Sequence, residues 1–156
     1  MELPIETVQD YPRPPALEPV PPPIRITLGG AIVAETNAAL RVLETHHAPT
    51  YYIPPGDVQA ELRPAPGRSL CEWKGQARYW DVIAGGRTAA RAAWSYHGPV
   101  RRFADLDGYV AFYCSLMDSC TVGGVTATPQ PGDFYGGWVT PNLRGIVKGD
   151  AATRHW

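Results

Sequence analysis

The side chains with the most chemical potential in this 156-residue chain fall between Glu44 and Tyr96. Glu44 precedes His47 by three positions. A carboxylate in that place can hold one tautomer of an imidazole, which is what a general base needs. Cys71 and Lys74 add a thiol and an ammonium, and a nearby positive charge favours the thiolate form. With His47 they supply the parts of a thiolate–imidazolium nucleophile. Alternation along a regular strand sends Cys71 and Lys74 to opposite faces, so their joint use requires a bulge at Gly75. Glu44, His47, Cys71 and Lys74 are the candidate catalytic residues. Each also has a plainer role: Cys71 as a small buried hydrophobe, His47 as a turn histidine bonded to backbone.

A second constellation is suited to binding. Tyr52, Arg78, Trp80, Arg91 and Tyr96 combine aromatic surface with cationic groups, a lining that fits a small anionic or planar ligand. The competing account is a solvated sheet face with one snorkelling tryptophan. A metal site would need His46, His47 and His97 to converge with a carboxylate or Cys71. Adjacent histidines in an extended chain point to opposite faces, so no metal ligands are assigned. No cofactor is expected either, because Gly29-Gly30 continues neither into GxGxxG opening a helix nor into GK[ST].

The elements that must position these groups are strands. Leu70 to Tyr96 reads as one long hairpin, with Gly85-Gly86 as a two-residue turn needing positive φ at both positions. Cys71, Trp73, Ala77, Tyr79 and Ile83 then share an apolar face with Thr88, Ala90, Ala92, Trp94 and Tyr96. Glu72, Lys74, Gln76, Arg78 and Trp80 take a polar one. A turn of this length pairs Ala77 with Trp94, Tyr79 with Ala92, Gly75 with Tyr96 and Trp80 with Arg91, the last a cation–π pair. Asp81 alone breaks the apolar alternation. Ile24 to Glu35 repeats the pattern around Gly29-Gly30, with Ile26 opposite Val33. Asn37 to Thr45 favours a strand, Pro49 and Pro54 keep the 46–54 segment extended, and Pro54 to Leu62 suits a short helix. Val100 to Gly108 is a turn, Tyr109 to Tyr113 a buried strand, and Ser119 to Val125 another.

These elements imply a mainly β fold: a small barrel or a strongly curved antiparallel sheet built from glycine-turn hairpins, with one or two short helices. The chain divides into a proline-rich N-terminal arm (1–23), a core (24–125) and a C-terminal extension (126–156) held to the core by Phe134, Tyr135, Trp138 and Trp156. Gly 16 and Pro 17 agree with many short strands joined by tight turns. A formal net charge of -1 leaves no electrostatic footprint for nucleic acid. No apolar run reaches the roughly 18 residues of a membrane helix, and no secretory leader pattern opens the chain. Three cysteines without CxxC spacing fit a cytoplasmic setting better than a disulfide framework.

Four ordered segments, LRVLETHHAPTYYIPPGDV, LCEWKGQARYWDV, AAWSYHGP and GYVAFY, resemble domain-of-unknown-function family 427. That family typically shows ET-x-H-P-P-x-YY-x-P, then CP-x-KG-x-A-x-YW, then AW-x-Y-x-x-P and a terminal FY strand. The likeness covers Leu40 to Tyr113. The proline-rich start and PGDFYGGWVTP resemble the longer members found in cyanobacteria and plants. Ala48 stands where the family has a proline, and Glu72-Trp73 replace its proline–aromatic pair after the cysteine. The resemblance implies a compact, mainly β fold. The family has also carried a nucleotidyltransferase-like label, whose chemistry needs glycines opening a helix and a strand bearing paired carboxylates for Mg²⁺. The candidates, Gly85-Gly86 and Asp105-Leu106-Asp107, lie in turns, so that activity is not expected. The favoured expectation is a small-molecule binder with an aromatic-lined pocket between the 46–54 segment and the 70–96 hairpin. The alternatives are a small enzyme using Glu44 and His47 with Cys71 or Lys74, and an interaction module presenting its terminal arms to a partner.

Overall fold

The computed structural model describes residues 3–71, 75–99, 101–131 and 135–149, except for the side chains of 68–71, 75 and 102. Its centre is a ribbon of two strands, β8 (Gly75–Ala84) and β9 (Arg87–Tyr96). Gly85 and Gly86 turn it with φ of 55° and 76°, the left-handed pair a type I′ turn requires. Near the turn the expected register holds, with Ala84 against Arg87, Ile83 against Thr88 and Val82 against Ala89. Beyond it a bulge intervenes. Residues 90–92 stand against Asp81 alone, and pairing resumes with Trp80 against Ala93. Tyr79 therefore faces Trp94 rather than Ala92, and Ala77 faces Tyr96 rather than Trp94. Gly75 pairs with Cys71 and not with Tyr96.

Asp81 accounts for the bulge. Arg91 adopts a φ of 51° and its amide donates to Asp81 Oδ1 at 2.8 Å. The residue that broke the apolar alternation is the acceptor the extra residues need. A two-residue shift keeps side-chain parity, so outside the bulge the division into two faces survives while the partners change. Arg91 leaves Trp80 and instead stacks its guanidinium 4.0 Å over the Tyr79 ring.

The face expected to be polar is buried in part: Trp80, Val82 and Ala93 pack into the core from it, while Gln76 and Arg78 stay exposed. β7 (Glu61–Cys71) and β10 (Val110–Phe112) complete a sheet in the order β10-β9-β8-β7. Cys71 thus ends β7 rather than starting β8, and Glu72, Trp73 and Lys74 lie outside the described residues. A second sheet, β12-β11-β3-β4, comprises β3 (Ile24–Leu28), β4 (Ala31–Thr36), β11 (Ser119–Val122) and β12 (Val125–Thr126). Its inward side chains Ile24, Ile26, Leu28 and Val33 meet Val82, Ala93, Val110 and Phe112 of the first sheet in the main core. On the other face Ala77, Tyr79, Trp94 and Tyr96 pack with Tyr52, Val42, Phe103 and Leu106 in a second core.

A third sheet holds β2 (Ala16–Pro19), β5 (Leu40–Leu43) and β6 (Thr50–Tyr52). Ile53 and Val110 exchange backbone hydrogen bonds of 2.8 and 2.9 Å, joining it to the first sheet. The N-terminal arm and the C-terminal segment meet where β1 (Glu6–Thr7) runs parallel to β15 (Leu143–Arg144). Near them β13 (Thr128–Pro129) pairs with β14 (Trp138–Val139). The fold is mainly β, as expected, but the sheets do not close into a barrel. The expected helix over Pro54 to Leu62 is a single 3₁₀ turn, Pro55–Asp57, and the chain is already extended at Glu61. Ile26 pairs with Ala34 rather than Val33 because the register shifts beside Thr27. Ser119 to Val125 is a third glycine–glycine hairpin, turning at Gly123-Gly124.

Two hairpin tips lock together. A Cβ built on Gly85 would lie 2.1 Å from the Gly29 carbonyl oxygen, whereas one on Gly86 meets nothing within 4 Å. Both glycines have positive φ, so alanine at either adds strain of about 1–2 kcal/mol. Gly85→Ala adds overpacking against backbone and should lose roughly 2–5 kcal/mol in all. Urea denaturation of the two variants measures the difference, and equal losses would show that the tips do not hold each other.

Candidate functional site

The structure divides the candidate ligand-binding residues. Tyr52 and Tyr96 are both buried in the second core, their ring centroids 6.3 Å apart, and Tyr52 meets Trp94 edge-on at 6.4 Å. These rings fill the space between the 46–54 segment and the hairpin. Trp80 is on the opposite face of β8, half-buried, donating from Nε1 to Ser95 Oγ at 2.9 Å. Arg78 is exposed between Ser95 and Arg68, and Arg91 is exposed over Tyr79. The five do not line one cavity. Of the candidate catalytic residues, Lys74 and the Cys71 side chain lie outside the described residues.

Glu44 and His47 do come together, with Glu44 Oε2 3.9 Å from His47 Nε2. That distance allows electrostatic attraction but exceeds a hydrogen bond. The other ring nitrogen is occupied by Gln130, a buried residue from the C-terminal segment. Gln130 Oε1 accepts from the Ala48 amide at 3.2 Å, and its Nε2 donates to the Lys148 carbonyl at 2.8 Å. These bonds fix the orientation of the amide, so its Nε2, 3.2 Å from His47 Nδ1, must be the donor there. The His47 proton then sits on Nε2, facing Glu44. Tyr135 covers the ring edge-on at 4.9 Å. Gly136 passes so close to Trp94 that a Cβ there would lie 1.9 Å from the indole. His47 thus serves as an anchor for the C-terminal segment.

The electrostatic centre is a row that sequence reasoning missed. In the third sheet Glu18 pairs with Arg41 and Arg41 with Tyr51, so three strands present these side chains on one face. The alternate residues Leu17, Leu40, Val42 and Tyr52 turn to the second core. Arg41 Nε donates to Glu18 Oε1 at 2.7 Å, and its terminal nitrogens reach both Glu6 oxygens at 3.1 and 3.2 Å. Tyr11 donates to Glu6 Oε1 at 2.6 Å. Burial alone would lower the Arg41 pKa, but the bonds to Glu6 and Glu18 outweigh it and raise it. Burial raises the Tyr51 phenol, with Glu6 and Glu18 adding to the shift and Arg41 opposing it.

Beside this row is a cavity of about 280 Å³, walled by Leu3, Val20, Val122 and prolines of the N-terminal arm. Apolar walls with polar groups gathered in one place are the usual make-up of a ligand site. A broader open groove of about 870 Å³ crosses the outer face of the second sheet. Its polar groups satisfy one another: Arg25 pairs with Glu35, Thr27 with Ser119, and Thr36 with Asp57. Among the described residues no group of three or more potential metal ligands converges. Gly85-Gly86 open no helix, and Asp105 and Asp107 lie in and beside the 3₁₀ segment Arg101–Leu106 rather than on a strand. One signal for the row was available: if Tyr52 faces the aromatic core, strand alternation turns Tyr51 the other way. Glu6 and Glu18, in an arm without hydrophobic period, carried none.

Two outcomes follow from the row and from the buried phenols. Arg41→Met leaves Glu6 without its cation and should lower stability on the order of 3 kcal/mol. Adding Glu6→Gln should recover part of that loss, since the stranded charge is then gone. Full additivity in the urea-denaturation cycle would dismiss the pairing. Burial also raises Tyr113, to about 12, and Tyr11 is raised by burial and its bond to Glu6. In the unfolded chain tyrosine ionises near 10. Above that the unfolded state binds fewer protons, so stability should fall as pH rises from 10 to 12. Ultraviolet titration at alkaline pH should show these phenols ionising only as the protein unfolds.

The comparisons with known proteins place the chain by family alone. It belongs to the family described as Domain of unknown function (DUF427), whose model matches residues 16–123. No curated protein matches it.

Proposed function

We propose that this DUF427 protein binds a small molecule in the cavity between the Glu18–Arg41–Tyr51 row and the proline-rich arm. The observation that carries this reading is the gathering of a partly buried guanidinium, two carboxylates and a buried phenol against an apolar cavity. The 46–54 segment still supplies one wall, through Tyr51. The other wall is the N-terminal arm, because aromatic side chains already fill the hairpin side. At about 280 Å³ the cavity has the volume of about nine waters at roughly 30 Å³ each, which suits a compact metabolite.

Charge decides the polar end of the ligand. One guanidinium faces two carboxylates, leaving one negative charge over. The ligand is therefore an apolar body bearing an ammonium or another cationic donor, not the anion suited to the hairpin's own cations. The acid–base alternative has less support, since Gln130 occupies one nitrogen of His47 and the other faces Glu44.

Thermal denaturation against a panel of small hydrophobic amines, carboxylates and sugar phosphates tests the reading. An amine at 100 times its dissociation constant should add about 2.7 kcal/mol of stability. Glu18→Gln, at a side chain 42% exposed, should keep the fold and weaken that response. Stabilisation by anions alone, or an undiminished response in Glu18→Gln, would count against this site.

A further inference from the structure

Two cysteines are placed together by the return of the chain from the first sheet to the second. Cys114 opens the 3₁₀ turn Cys114–Leu116 directly after β10. The Met117 amide bonds back to the Cys114 carbonyl at 3.2 Å, and the Asp118 amide reaches the Thr27 carbonyl at 2.8 Å. Six residues after Cys114, Cys120 enters the main core on β11, opposite Ile26. Cys114 packs against that same core. Both sulfurs are free thiols, and they hydrogen-bond to one another.

The pair is asymmetric in access. Cys120 is 1% exposed. Cys114 is half-buried and borders a separate cavity of about 210 Å³, together with Tyr113, Ser115, Gln130 and Tyr135. A small reagent can reach Cys114 from that side, whereas Cys120 is enclosed in the core and does not line that cavity. The hydrogen bond from Cys120 favours the thiolate at Cys114 and outweighs the opposing effect of burial. The same bond, with burial, holds the proton on Cys120.

We propose that Cys114 and Cys120 form an oxidisable dithiol site, in which a small hydroperoxide attacks at Cys114 and Cys120 closes a reversible disulfide. In the first step the Cys114 thiolate attacks a peroxide oxygen. An S–O bond forms, the O–O bond breaks, and hydroxide leaves and takes a proton from solvent. The sulfur loses two electrons and the peroxide gains them. In the second step the Cys120 sulfur attacks the sulfenic sulfur of Cys114. An S–S bond forms, the S–O bond breaks, and the oxygen leaves as water with the proton given up by Cys120. A small thiol reductant restores both thiols by exchange.

The test uses the full chain and hydrogen peroxide, followed by alkylation and non-reducing peptide mapping. The expected product is a Cys114–Cys120 cross-linked peptide that disappears with dithiothreitol, with Cys71 still alkylated. Cys71→Ser should give the same product. Cys120→Ser should trap a sulfenic acid at Cys114 that a dimedone probe labels, and Cys114→Ser should leave Cys120 unmodified. A bridge involving Cys71, over-oxidation of Cys114 without a bridge, or both thiols surviving in folded wild type would each overturn the proposal. The wild-type map decides even if a serine variant fails to fold.

Discussion

The structure depends on one demand made of β8 and β9: part of a two-stranded ribbon must be apolar on both faces. Val82 and Ala93 close the main core, and Tyr79, Trp94 and Tyr96 close the second. An ordinary antiparallel strand keeps one face wet. Here the second sheet covers one face, while the third sheet and the turn carrying Phe103 and Leu106 cover the other. Polar atoms taken inside must then find partners within, as Trp80 Nε1 does in Ser95. The bulge at Asp81 belongs to the same demand. It shifts β9 by two residues without exchanging its faces, so Trp94 meets Tyr79 while Ala93 stays on the main-core side.

Arg41 performs the corresponding service for the N-terminal arm. The proline-rich arm offers few backbone donors and little regular pairing. Its attachment rests on β2, on the short β1–β15 pair, and on Glu6 and Glu18 converging upon one guanidinium. Beside that cluster the prolines form stiff apolar walls whose shape would change little in the proposed binding. Rigid walls around a partly desolvated charge cluster are a preorganised arrangement, which lowers the ordering penalty of binding.

The C-terminal segment is fastened by donors and acceptors rather than by strand length. Gln130 uses both ends of its amide between Ala48, Lys148 and His47. Trp138 is fully buried against Tyr51 and donates from Nε1 to the Phe112 carbonyl at 3.0 Å. Together they bring the segment across the 46–54 stretch, so that one chain passage borders the Arg41 cavity through Tyr51 and the C-terminal segment through His47. Phe134 and Trp156, the other expected anchors, lie outside the described residues.

The mainly β class, the glycine turns, the extended run over Thr50–Tyr52 and the two faces of the central hairpin away from its bulge were legible in the sequence, whereas His46, with a φ of 64°, turns where an extended chain was expected. All of these are local: positive φ at paired glycines, proline's bar on helix, and period-two alternation act within a few residues. The family was legible too, because ordered motifs survive without knowledge of their contacts. What tertiary structure decided is which face meets which neighbour. Asp81 read as a flaw until Arg91 supplied the amide it accepts. Trp80 read as part of a polar face and a ligand lining until the second sheet covered it. Arg41 carried no signal along the chain, and only Glu6 and Glu18, 35 and 23 residues away, make it a centre. Charge pairing and burial depend on distances across the fold, and no period along the chain encodes them.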